Sequence, residues 1–184
     1  MPLTRIKSLG ITDGTIAAAD LASGVGGKVL QVVQTTKTDT FTTTSTSFVD
    51  VTGLSVSITP SSTSNKILVL VQISYGGSVN TYGGAKLIRG STSIFEGTSD
   101  GASRTETTIP MTTSNEPNSE ANKMYTGSIF YLDSPSTTSS TTYKIQIFTS
   151  SGTETLAVNR NGSDSNNNYN NRSTSSITVM EIAG

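Results

Sequence analysis

The stretch "NKILVLVQISY", residues 65–75, decides the fold. Ile67, Val69, Val71, Ile73 and Tyr75 recur at every second position, which is the repeat of a β-strand with one face in a core. Leu68 and Leu70 stand on the opposite face, so part of the strand is apolar on both sides. The run is far shorter than the roughly 18 apolar residues of a membrane span. It therefore reads as a central strand of a sandwich, with one face against a second sheet. In a chain this polar, its other face is expected to meet a neighbouring copy.

The same period extends along the chain. "LSVSIT" (54–59) puts Leu54, Val56 and Ile58 on one side and hydroxyls on the other, and Pro60 with "SSTSN" ends it. "KVLQVVQTT" (28–36), "DTFTTT", "SFVDV", "MYTGSIFYLD" (124–133), "TYKIQIF" (142–148) and "TETLAV" (153–158) read as further strands, and "AKLIRGSTSIFEG" (85–97) as a hairpin. Residues 98–122 are polar and hold at most one short strand. In the closing "SSITVMEIAG", Ile177 and Val179 share one face while Met180 and Ile182 share the other, which requires a bulge or burial on both sides. Eight to ten strands joined by loops, without helical segments, predict an all-β, two-sheet jelly roll.

Composition narrows the chemistry. The 184 residues carry a net charge of −1 with 14% charged residues, so nothing steers the chain to phosphate backbones or anionic lipid. Ser and Thr make up about a third of it, and Thr suits a pleated surface. Cys and His are absent. Disulfides, Cys/His zinc sites and Ser-His or Cys-His nucleophile pairs are thereby excluded. Met1–Arg5 lacks the apolar stretch of a secretory signal, so a soluble protein made in a cytoplasm is the expectation. No enzymatic activity, cofactor, metal, nucleic acid or membrane insertion is expected.

Three motifs invite chemistry. In "SDSNNNYNN" (163–171), Asp164, Asn166 and Asn168 have the spacing that opens an EF-hand loop. Tyr169 replaces the required glycine and Ser175 the closing glutamate, so a solvated loop is the simpler reading. Asn161, Asp164, Asn168 and Tyr169 also form a candidate receptor loop, because Tyr adds contact area at low entropy cost and Asn adds adaptable hydrogen bonds. Glu96, Asp100, Glu106, Glu116 and Glu120 cluster around the long connection, yet no aromatic-rich cleft and no Trp accompany them. A solvated surface is favoured over a glycosidase pair. "GKVLQ" (27–31) and "GGSVNTYGG" lack the spacing and the following helix of phosphate-binding loops.

Residues 1–27 differ from the rest. They are rich in Gly, Ala and Asp, carry widely spaced aliphatics, and end in "GVGG", a hinge. The chain therefore divides into an N-terminal arm, 1–27, and a jelly-roll domain, 28–184. Ile6, Leu9, Ile11, Ile16 and Leu21 are candidate attachment residues, each able to fill a pocket on another surface.

"GKVLQVVQTTKTDTFTTTSTSFVDVTGLSVSITPSSTSNKILVLVQISYGG" (27–77) resembles virion proteins of tailed bacteriophages, especially those of marine bacteria, as does the closing "ITVMEIAG". "LTRIKSLGITDGTIAAADLASG" (3–24) resembles their short N-terminal repeats, here in only about one and a half copies. The domain is also similar to the trimeric jelly rolls of the tumour necrosis factor and complement globular-head type. There the first, last and a central strand line the three-fold axis. The resemblance implies a homotrimer with Leu68, Leu70, Met180 and Ile182 at its interface. It implies a virion surface or fibre-like appendage, held by its arm to other tail or capsid proteins. A capsid cement protein and a module binding host surface glycan are the alternatives.

Overall fold

In the computed structural model, residues 28–101, 103–113 and 120–184 are described. The attachment residues Ile6, Leu9, Ile11, Ile16 and Leu21 lie outside them, as does Glu116. The strands are β1 (Val29–Lys37), β2 (Phe41–Thr43), β3 (Val49–Ile58), β4 (Lys66–Gly77), β5 (Tyr82–Arg89) and β6 (Thr92–Ile94), then β7 (Ile109–Thr112), β8 (Tyr125–Asp133), β9 (Thr141–Thr149), β10 (Leu156–Val158) and β11 (Ser175–Ile182). A single 3₁₀ turn, Glu120–Asn122, precedes β8.

They form two sheets. One runs β1-β11-β4-β10-β2, with β8 on the other side of β4. The second runs β3-β9-β5-β6, with β7 also on β5. All the pairings are antiparallel. The first strand lies beside the last, the last beside β4, and β4 beside β8, while β3, β5, β6, β7 and β9 cross into the opposite sheet. That is the wrapped order of a jelly roll, as the strand pattern predicts.

The core lies where the inner faces meet. Ile67, Val69, Val71, Ile73 and Tyr75 of β4 are buried, as the period-2 reading requires. Leu54, Val56 and Ile58 of β3, Tyr143, Ile145 and Ile147 of β9, and Ile177 and Val179 of β11 complete the same cluster. "SFVDV" and "LSVSIT" merge into the one strand β3. Its register slips between Asp50 and Ser55, at Gly53, whose φ of 82° is open to glycine without strain. β11 pairs without a slip along β4, so its second apolar face is not made by a bulge: Ile177 and Val179 lie in the core while Met180 and Ile182 stand half-buried on the outer face, and the slip sits opposite, in β1 at Leu30. β10 is shorter than "TETLAV" suggests. Its three residues are all buried, because it pairs with β2 on one side and β4 on the other.

One buried carboxylate fastens the end of the domain where β1 begins. Glu181 points inward on β11 and is 1% exposed. Its Oε1 accepts from Ser61 N (2.6 Å), Ser61 Oγ (2.7 Å) and Asn65 Nδ2 (2.6 Å), and its Oε2 from Gln31 Nε2 (2.7 Å). Burial pushes its pKa up, but the donors from Gln31, Asn65 and Ser61 outweigh that and hold it at about 2. The sign follows from linkage. A carboxyl lowered by folding adds stability above its unfolded pKa, near 4.5, and the gain fades as pH falls towards 2. Acid titration of thermal unfolding should therefore show wild type about 2–3 kcal/mol above Glu181→Gln at neutral pH, with the gap closing between pH 4.5 and 2. A gap independent of pH would assign the effect to packing alone.

Candidate functional site

The outer face of the larger sheet is built by register. Val32, Met180, Leu68 and Leu132 stand side by side across β1, β11, β4 and β8. The next row is Gln34, Thr178, Leu70 and Phe130, and the third is Thr36, Ser176, Gln72 and Ser128. None of these twelve residues is charged. Ile182 extends the apolar end beside Lys66, whose Nζ donates to Ser134 Oγ (2.9 Å). The face is graded, apolar toward the start of β1 and amide- and hydroxyl-bearing away from it. Gln34 Nε2 donating to Thr178 Oγ1 (2.8 Å) marks the changeover.

The structure thus gathers Leu68, Leu70, Met180 and Ile182 on one surface. Each is half-buried within the subunit. The more exposed members were not singled out by sequence: Phe130 is 71% exposed, Val32 55% and Leu132 54%. A signal for them exists. In "SIFYLD", Phe130 and Leu132 alternate with the inward Ile129, Tyr131 and Asp133 just as Leu68 and Leu70 alternate with the core residues of β4. A scattered exposed Leu is ordinary, whereas a contiguous exposed apolar group is unusual on a lone domain.

The apolar surface turns the corner at β8, an edge strand of this sheet. Tyr131 stacks on Phe95, their ring centroids 4.7 Å apart and their planes 19° from parallel. Phe95 follows β6 of the other sheet, so the pair closes the side of the sandwich. Phe95 is 49% exposed and has a φ of 54°, a conformation that a bulky side chain rarely adopts.

The outer face of the smaller sheet is different. Asp50 accepts from Lys144 Nζ (2.7 Å) and Gln146 Nε2 (2.7 Å), and Lys86 pairs with Glu96 (2.8 Å) while lying over the ring of Phe48. Lys86, with Ser93 in support, holds the Glu96 carboxyl below its ordinary range, and Lys144 with Gln146 does the same for Asp50. This is a solvated, charge-paired surface.

Of the acidic residues of the long connection, Glu96, Asp100 and Glu106 are engaged locally, while Glu116 and the side chain of Glu120 lie outside the described parts. Glu96 is tied to Lys86 and Ser93, Asp100 pairs with Arg104, and Glu106 accepts from Ser99 N (2.9 Å). Among the described residues no group of three or more acidic, His or Cys side chains is placed to hold a metal ion. No helix among them is long and apolar enough to cross a membrane.

In the loop after β10, Asn161 is 1% exposed. Its Oδ1 accepts from Asp164 N (3.0 Å), and its Nδ2 donates to Asn122 O (3.2 Å) and to Asn170 Oδ1. It shapes the loop from inside. Asp164 is paired with Arg172 (2.6 Å) and, more loosely, with Arg160 (3.6 Å). Asn168 and Tyr169 remain on the outer surface. Gly162 sits against the Gly77 carbonyl, where a Cβ would collide with backbone, so the loop is seated on the end of β4.

These features define a jelly-roll domain with one charge-paired sheet face and one uncharged, partly apolar sheet face. No protein-family model matches the chain, and no curated protein matches it. Among solved structures it is similar to a chain from the structure of the infectious bursal disease virus Gx strain, at 15% identity and a TM-score of 0.37 over 97% of the present chain. The present chain spans 43% of that protein's length.

Proposed function

We propose that the protein is a structural subunit of a virus particle of the tailed-phage kind. It is a homotrimer that associates through the outer face of the larger sheet and is held to its particle by residues 1–27. The observation that carries the reading is the uncharged face of β1, β11, β4 and β8. A soluble monomer gains nothing from twelve adjacent uncharged positions with Phe130 and Val32 at the surface. Copies of the same chain cover such a face without demanding a complementary charge. The resemblance of residues 27–77 and 177–184 to phage virion proteins supplies the particle. The charge-paired sheet faces solvent in this arrangement, and the function requires no catalysis and no cofactor.

Replacing Leu68 or Leu70 by Asp puts a carboxylate into the buried contact with no cation in its row. Sedimentation should show a trimer for wild type at micromolar concentration and a folded monomer for either variant. A wild-type monomer would overturn the assembly reading. Locating the protein in an electron-microscopy map of the particle tests the rest. A position on the tail identifies a fibre-like role, one between capsomers a cement role, and absence from purified particles removes the virion assignment.

A further inference from the structure

Asn161–Gly162 is the single Asn-Gly step in the chain. Such a step is chemically labile, because a following glycine has no side chain to keep its peptide nitrogen away from the carboxamide before it. The structure explains why both residues are there. Gly162 sits where a Cβ would collide with the Gly77 carbonyl. Asn161 is buried and has to donate and accept at once. Its Oδ1 accepts from Asp164 N (3.0 Å), and its Nδ2 donates to Asn122 O (3.2 Å) and to Asn170 Oδ1. An ionised aspartate can only accept.

We infer that Asn161 is a latent self-modification site: the seated loop holds it unreactive, and unseating the loop from β4 lets it convert, once, to aspartate or isoaspartate. In the reaction Gly162 N attacks Asn161 Cγ, the Cγ–Nδ2 bond breaks, and ammonia leaves carrying the peptide proton. The succinimide so formed takes up one water. Opening at Cγ gives aspartate, and opening at the main-chain carbonyl carbon gives isoaspartate, in which the backbone runs through the side chain. Water is the only co-reactant.

Three features hold the reaction back in the seated loop. Attack needs the nitrogen to approach Cγ to about 3–3.5 Å along a suitable line, and the hydrogen bonds at both ends of the carboxamide fix Cγ in another pose. The peptide that has to swing is fixed as well. Gly162 is packed on Gly77, Arg160 Nη1 donates to the Asn161 carbonyl (3.0 Å), and Ser163 N donates to Ala121 O (2.8 Å). Burial adds a third restraint, since at 1% exposure Asn161 is shut off from the water and base that the reaction uses.

The product does not fit the old seat. A carboxylate at position 161 faces Asn122 O and Asn170 Oδ1 with no hydrogen to offer either. Isoaspartate also lengthens the main chain next to the close contact of Gly162 with Gly77. Conversion is therefore one-way. It releases the loop that carries Asn168 and Tyr169 and leaves the two sheets in place. Nothing in it depends on how copies of the chain assemble.

The test follows the full chain by peptide mapping. Conversion adds about 1 Da to the peptide that holds residue 161, and chromatography separates isoaspartate from aspartate. At mildly alkaline pH, folded wild type should convert at least about tenfold more slowly than the same chain unfolded in guanidinium chloride. Asn170→Ala removes one acceptor of Nδ2 and should speed conversion severalfold while circular dichroism shows the chain folded. Asn170→Asp puts an acceptor back and should return the rate to that of wild type or below. Mere loosening of the loop predicts otherwise, because both variants lose the donation from Asn170 Nδ2 to Ser165 O (2.9 Å). Asn161→Asp stands for the product: its Ser163 amide should exchange hydrogen at least about tenfold faster than in wild type, with the amides of β4 and β11 unchanged. Equal conversion rates in the folded and unfolded chains would overturn the inference, as would a rate in Asn170→Ala no faster than in wild type. Unchanged protection of Ser163 in Asn161→Asp would overturn the release of the loop.

Discussion

Asn159→Ala should lower the free energy of unfolding by about 4 kcal/mol, enough to leave a domain of ordinary stability marginal. Asn159 follows the shortest buried strand and has no exposed surface. Its Nδ2 donates to the carbonyls of Lys37 and Asp39 at 2.9 Å each, and its Oδ1 accepts from Ser175 Oγ at 2.6 Å. Ser175 Oγ in turn accepts from Ser74 N (3.0 Å). The amide group thus ties the end of β1 to the start of β11 and, through Ser175, to the last third of β4. Alanine removes three hydrogen bonds worth about 1 kcal/mol each and strands buried polar groups that water cannot reach. It also leaves a Cβ-bearing residue without local hydrogen bonding at a φ of 63°, at a cost of about 1 kcal/mol. Asn159→Gly separates the two contributions. Glycine accepts the backbone but not the side-chain bonds, so it should recover about 1 kcal/mol of the loss. Urea denaturation of the three proteins measures this, and equal midpoints for alanine and glycine would show that the backbone conformation is not strained.

Asn159 also shows where reading the sequence stops. The strand β4 was legible because its pattern is local: five inward residues at period 2, all buried, with Leu68 and Leu70 opposite. The outer face was legible in part for the same reason, since Met180 and Ile182 break the polar alternation expected of a solvated sheet. Phe130 and Val32 belong to the same face, but "GSIFYLD" and "KVLQVV" alone do not say on which side another strand will lie. The polar fastenings were not legible at all. Asn159 meets Lys37 across 122 residues, and Glu181 meets Ser61 across 120. A buried Asn or Glu obeys no periodicity; only the fold says which distant donor fills each lone pair. The same holds for Asn161, which composition groups with its exposed neighbours and the structure places inside the loop. Phe95 reads in sequence as the tail of a hairpin. Its exposure and stacking depend on β8, which arrives some thirty residues later.

Asp133 gives the other large effect. It ends β8, is 3% exposed, and accepts two hydrogen bonds from Arg89 Nη1 (2.8 and 3.0 Å) and one from the Tyr143 hydroxyl (2.6 Å). Arg89 ends β5 and Tyr143 lies in β9, so one carboxylate pins the edge of the larger sheet to two strands of the smaller. That edge carries Leu132 and Tyr131, so the same bonds fix the side of the sandwich where Tyr131 stacks on Phe95. Asp133→Ala leaves a largely buried guanidinium and a buried phenol without their acceptor and should cost about 3–5 kcal/mol. Asp133→Asn keeps the shape and one acceptor but not the charge, and should fall between wild type and alanine. Tyr143→Phe should cost less in the Asp133→Ala background than in wild type, since its acceptor is already gone. The phenol supplies an independent reading. Burial, then the hydrogen bond to Asp133 and its charge, push the Tyr143 pKa well above its ordinary value of 10.0. A group whose pKa rises on folding adds stability below its unfolded pKa and loses it as pH climbs beyond. Wild type should therefore lose stability above about pH 10. Tyr143→Phe should lack that part of the loss. In the folded protein, absorbance near 295 nm should show one tyrosine that ionises only when the chain unfolds. If every tyrosine titrates reversibly in the folded state, Asp133 does not clamp β8 through Tyr143 as described.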